Sequence, residues 1–185
     1  MVWIFGGGFT TGSATLDVYN PRQIVDRGVI YVALQYRLGS HGFLYFGEDS
    51  NMPGNVGMLD QVMSNIQVNE YLKKTISIQV AGLDWVKRNI AQFGGNPDDV
   101  TIMGESAGGS SVAYHLVSPL SCKKFDKAII QSSGLVTEWG FMTKEVAKKR
   151  TGKCYMCCVN YVDYLNLHKI CFFRQIGVTS WLPCY

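Results

Sequence analysis

No run of apolar residues in the 185-residue chain approaches the ~20 needed to span a bilayer. No block of lysine and arginine is long enough for nucleic acid or an anionic membrane surface. The net charge is only +3, and both signs are scattered along the chain. The opening "MVWIFGGG" has no charged first section, and its apolar run is too short for a secretory signal. Histidine is scarce. His41, His115 and His168 are the three present, which leaves few candidates for a general base. A metal centre finds little support. Cys154 and Cys157 have C-x-x-C spacing, but no second ligand pair follows at zinc-site spacing. No metal and no cofactor is expected. Cys122 stands alone, and Cys154, Cys157, Cys158, Cys171 and Cys184 read as buried or unpaired thiols in an irregular tail.

The chain is 47% hydrophobic and 17% charged, which fits a globular unit with a real core. Strands and helices alternate. Val2 to Phe5 reads as a buried strand, Val29 to Tyr36 as a second, Val100 to Met103 as a third and Lys127 to Gln131 as a fourth. A short helix is expected from Pro21 to Asp26, with Asn20 as its cap. A longer one is expected from Ala107 to Val117, stopped by Ser118-Pro119. Near-continuous apolar strands between helices predict a parallel sheet covered on both faces.

Ser106 stands where the third strand meets the longer helix, in Gly104-Glu105-Ser106-Ala107-Gly108. A nucleophilic serine must project from the sheet at a sharp turn, and the turn needs small residues two positions to either side. G-x-S-x-G between a strand and a helix meets that need. The helix N-terminus behind it favours developing negative charge. Gly6-Gly7-Gly8 follows the first strand, and bare glycine N–H groups can approach an oxyanion.

The segments "VWIFGGGFTTGSATLDVYNP", "VALQYRLGSHGFLYFG", "PGNVGMLDQ", "WVKRNIAQFGGNPDDVTIMGESAGG" and "KAIIQSSG" together resemble the type-B carboxylesterases, with "GSATLDVYN" most similar to the cholinesterases. The resemblance covers roughly residues 2 to 140. It implies a partial α/β-hydrolase fold, with the strands in the order second, first, third, fourth. It also implies hydrolysis of carboxylic esters through a Ser-Glu-His triad and an acyl-enzyme. By position, Ser106 matches the nucleophile. Gly7, Gly8 and Ala107 match the oxyanion donors. Glu105 matches the acidic neighbour of the serine, and Trp139 the aromatic wall of the acyl pocket. The implied partner is a small-molecule ester, and the implied location is secreted or membrane-tethered. Oligomeric state is left open.

The family's triad acid and histidine lie downstream of the stretch that resembles it. His115 falls about two and a half turns along the helix from Ser106. His41 reads as structural, and His168 lacks the glycine and acid that accompany the family's histidine. This chain alone is therefore expected to turn over esters poorly. One interruption is expected at Val62 to Gln79, lying outside the sheet-packed layer as a surface excursion or a translated intron. Beyond it, Val80, Leu83, Val86, Ile90 and Phe93 should continue a buried helical stripe begun at Leu59. Residues 1–150 form the expected hydrolase domain. Residues 151–185 form an unassigned tail rich in cysteine and aromatics, with little helical or strand periodicity. Two other readings stay open: a non-catalytic adhesion protein like the neuroligins, and a misassembled gene product.

Overall fold

A computed structural model describes residues 1–50, 54–62 and 82–161. Four strands form one parallel sheet: β1 (Val2–Ile4), β2 (Val32–Leu34), β3 (Thr101–Glu105) and β4 (Lys127–Gln131), in the order β2-β1-β3-β4. This is the expected order. β1 pairs Ile4 with Leu34 on one side and with Gly104 on the other. Gly104 in turn pairs with Ile130 of β4. A parallel sheet in this order with helices around it is the partial α/β-hydrolase arrangement that the resemblance implies.

β2 is shorter than the Val29–Tyr36 run expected. Its sheet partner is β1, which pairs only Val2, Trp3 and Ile4 before the chain turns at Gly6. Gln35 and Tyr36 therefore leave the ladder, while at the other end the Ile30 carbonyl accepts the Met1 amino group at 2.7 Å and the Val32 N–H donates to the Met1 carbonyl at 2.9 Å. The short helix α1 covers Arg22–Val25, with Pro21 just outside it. Asn20 still caps it, accepting the Arg22 N–H on Oδ1 at 3.0 Å.

α2 (Gly39–Phe43) and α3 (Val56–Val62) follow β2. The guanidinium of Arg37 grips Asp60 with two bonds, Nε to Oδ2 at 2.8 Å and Nη2 to Oδ1 at 2.7 Å. Such a fork-on-fork pair fixes orientation as well as distance, and here it anchors α3 to the end of β2. The interruption expected at 62–79 lies outside the described residues except for Val62, the last residue of α3.

α4 (Gly82–Asn89) lays Leu83 and Val86 into the core, and Ile90 joins them. Phe93 does not continue the stripe as expected; it is 61% exposed. Gly94, at φ 80°, reverses the chain, and Gly95 comes back over Ile90. Phe93 is left outside that reversal, against the ring of Trp85 at 5.5 Å.

α5 (Ala107–Val117) follows β3 and is buried over most of its length. α6 (Lys144–Tyr161) runs straight through Thr151, where periodicity was expected to fade. Over residues 144–154, whose side chains are described, Ala147, Thr151 and Cys154 are buried, spaced as one helical face. The Thr151 hydroxyl accepts the Tyr45 N–H at 3.0 Å, tying this helix to the loop after α2. None of the described helices is long and apolar enough to cross a membrane.

Candidate active site

The junction of β3 and α5 is built by backbone approaching backbone. A Cβ placed on Gly108 would lie 2.0 Å from the carbonyl oxygen of Ile4. One on Gly104 would lie 2.3 Å from the Gly108 carbonyl oxygen, and one on Gly109 2.5 Å from that of Gln131. Any side chain at these positions would push α5 away from the strand ends. The same holds for the glycine loop after β1. A Cβ on Gly6 would lie 2.6 Å from the Glu105 carbonyl and 3.1 Å from the Ser106 Cβ. Gly6 therefore brings the loop directly against the serine.

Ser106 has φ 54° and ψ −122°, a conformation that favours glycine. A non-glycine residue there costs on the order of 1–3 kcal/mol and persists only when its surroundings over-determine it. They do so here. The Ser106 N–H donates to the Gln131 carbonyl at 3.0 Å, and its own carbonyl accepts the Ser110 N–H at 2.9 Å. The peptide is held on both sides while the side chain stays half-buried. Among the described residues, the Ser106 hydroxyl has no hydrogen-bond partner.

Glu105 and Ala107 flank it in the chain, and Gly7 and Gly8 follow Gly6 in the loop that meets it. Ala107, fully buried, opens α5, where helix geometry leaves the N–H without an intrahelical acceptor. Gly7 (φ 118°) and Gly8 (φ 60°) lie in the turn after Gly6. The Gly7 carbonyl is occupied, accepting the N–H groups of Thr10 and Thr11 at 3.1 Å each. The N–H groups of Gly7 and Gly8 make no hydrogen bond among the described residues. Glu105 ends β3 opposite Gln131, and a Cβ on Gly6 would stand 3.2 Å from its Oε2.

Trp139 is half-buried, with its ring centroid 6.3 Å from that of Phe9. Phe9 went unremarked in the sequence, yet it links the glycine loop to Trp139. It is 1% exposed and packs on Phe43 at 5.3 Å as well. The available signal was an aromatic residue directly after three glycines. Gln61 was also missed. A glutamine at the end of an amphipathic helix reads as a solvated residue, yet it is fully buried.

Of the histidines, His115 is buried. Its Nδ1 lies 2.9 Å from the Ser121 hydroxyl, and its Nε2 lies 2.9 Å from Gln61 Oε1. Burial pushes its pKa down to about 3, so the ring is neutral. With both nitrogens engaged it has no lone pair to offer Ser106. His41 is exposed on α2, and His168 lies outside the described residues.

Known proteins with this sequence pattern can now be set beside this geometry. The model of the carboxylesterase family matches residues 1–73 and 76–168, further along the chain than the motifs alone reach. Cholinesterase 2 of Branchiostoma lanceolatum is 42% identical over 151 residues, covering 81% of this chain and 39% of that protein. The acetylcholinesterase of Danio rerio is 44% identical over 154 residues, 83% of this chain and 22% of its own length. The cholinesterase of Mus musculus is 42% identical over 153 residues, 82% and 22% respectively. The chain thus spans well under half the length of these relatives. With a match over most of its residues and the elbow held by the glycines the pattern requires, this chain belongs to the carboxylesterase family.

Proposed function

We propose that this chain is the central part of a serine hydrolase that cleaves carboxylic esters. Ser106 is the nucleophile. Its hydroxyl attacks the ester carbonyl carbon and gives its proton to a general base. The carbonyl oxygen becomes an oxyanion, met by the N–H groups of Gly7, Gly8 and Ala107 at the positive end of α5. Collapse expels the alcohol and leaves Ser106 acylated, and water then releases the acid. Glu105 lies against the loop that carries the donors. Trp139, held through Phe9, walls the acyl side. The observation that carries this reading is the backbone of Ser106, clamped at φ 54° with its hydroxyl uncommitted.

The relatives named above are cholinesterases, which favours choline esters among the candidate substrates. A secreted or tethered location outside the cell belongs to the same reading. So does an interruption of the hydrolase part at 62–79; that part runs on through α6 rather than stopping at residue 150.

Turnover needs a base. His115 is spent on Gln61 and Ser121. The 185-residue chain should therefore hydrolyse an activated ester slowly. A longer version carrying the family's acid and histidine, without residues 62–79, should be faster by about 10⁴-fold or more. Ser106→Ala in the longer version should return the rate to background. An inactive longer version that folds correctly would remove the hydrolase reading. Fast Ser106-dependent turnover by the 185-residue chain would mean that a local histidine is the base, and His41 would be the first to replace.

A further inference from the structure

Behind the elbow, on the side of α5 away from the solvent, runs a line of buried polar side chains that the ester chemistry does not use. It starts at Ser121, passes through His115 and Gln61, and ends at Ser111, all essentially inaccessible to solvent. Each step has one allowed direction. Ser111 has a single hydroxyl proton, and the Ala107 carbonyl 3.0 Å away can only accept it. Met58 Sδ, at 3.7 Å, is a much weaker acceptor. The Ser111 oxygen is then free to accept from Gln61 Nε2 at 3.4 Å. That fixes the amide, and Gln61 Oε1 must accept from His115 Nε2 at 2.9 Å. His115 therefore carries its proton on Nε2, and its bare Nδ1 accepts the Ser121 hydroxyl at 2.9 Å. A neutral ring, the state that burial imposes, is what this requires.

We propose that Gln61 is a positioning residue for the esterase reaction: through Ser111 it fixes the first turn of α5, and with it the Ala107 N–H beside Ser106. The proposal rests on the hydrolase reading above. The logic is one of satisfied donors and acceptors. A buried polar chain in which every member is paired is rigid and has one arrangement. Its last bond falls on the carbonyl of the residue that follows the nucleophile. Gln61 also belongs to α3, which Arg37 and Asp60 tie to β2. The setting of the elbow helix is thus referred to a second helix and, through it, to the far side of the sheet. A helix held only by apolar packing could rotate slightly about its axis. A rotation that moves an oxyanion donor by a fraction of an ångström costs rate, not binding.

Two readouts test this separately. Nitrogen-15 NMR of histidine-labelled 185-residue chain should give His115 as a neutral Nε2–H tautomer at pH 7. Gln61→Met should abolish that preference. In the longer version described above, Gln61→Met and Ser111→Ala should each lower kcat by about tenfold or more with KM little changed. Ser111→Ala keeps the measurement possible if Gln61→Met fails to fold, because it removes one hydroxyl and leaves a good helix former. A His115 found as the Nδ1–H tautomer, or doubly protonated at pH 7, overturns the proposal. So does a longer version whose kcat is untouched by Ser111→Ala. If the unmutated longer version shows no Ser106-dependent hydrolysis, the hydrolase reading fails and takes the positioning role with it. The tautomer would then still report whether the polar chain itself exists.

Discussion

β1 and β4 flank the same strand and share its direction, but their surroundings differ. Val2, Trp3 and Ile4 of β1 are all buried. In β4, Ile129 and Ile130 remain 39% and 38% exposed. Both strands carry isoleucine, so the residue type alone does not make the difference. β1 has a strand on each side, and it packs with Leu83, Val86 and Val112 in the main core. β4 pairs with β3 alone among the described residues. The comparison teaches that the same isoleucine is core or surface according to its neighbours. It also divides the sheet into a strand closed in on both sides and a strand left partly in water.

The sharpest way to break that division is to add one carbon at Gly108. The new Cβ would stand 2.0 Å from the Ile4 carbonyl, a backbone atom that cannot swing away. Gly108→Ala should therefore separate α5 from β1 and cost several kcal/mol, a large share of the ~5–15 available to a folded domain. A urea titration followed by circular dichroism would read it as a lost or strongly shifted transition. An unchanged midpoint would show that α5 is not seated on β1 at all. Next comes Ile4→Ala, expected at about 2–5 kcal/mol in the same titration, because a fully buried side chain leaves a cavity.

The buried half should also be the acid-sensitive one. Burial holds the His115 pKa at about 3, below its ordinary value of ~6.5. The unfolded chain therefore binds the proton first as pH falls. Stability contributed by the neutral ring is intact above pH ~6.5 and drains at about 1.4 kcal/mol per unit below it, down to about pH 3. Denaturation midpoints between pH 7 and pH 5 should fall accordingly, and His115→Gln should flatten that slope. Equal slopes in both chains would mean that some other group is responsible.

The open half should respond least. Ile130→Ala should cost at most ~1 kcal/mol, since much of the side chain is already in water. Gly134→Ala, where an added Cβ meets nothing within 4 Å, should be near neutral. If Ile130→Ala matched Ile4→Ala, the contrast between the two strands would be gone.

Most of the buried half could be read from sequence. The glycines at 6, 104 and 108 carry their own explanation, because a turn with backbone in contact with backbone admits no side chain. The strand order was what the resemblance to the type-B carboxylesterases implied. What escaped the sequence was burial of residues that are not apolar. Gln61 looks solvent-facing until His115 is found opposite it. The buried residues of α6 over 144–154 are Ala147, Thr151 and Cys154, small or polar residues that form no hydrophobic stripe there. The far end of β2 was over-read for a related reason: Gln35 and Tyr36 continue the run, but ladder length is set by the partner, and β1 gives way to the glycine turn. Phe93 failed because a reversal at Gly94 decides which side of Ile90 stays covered.

The clamp on Ser106 has a consequence for the order in which this molecule assembles. The groups that enforce its backbone angles do not come from its own neighbourhood alone. Ile4 and Gly6 press on the elbow from about a hundred residues away in sequence, and such a loop must close before the contact returns anything. Until then, nothing compels Ser106 to leave an ordinary extended or helical conformation. The reactive geometry is therefore a late product of folding. A collapsed chain with its helices formed but β1 not yet docked on β3 would contain the serine and lack the site.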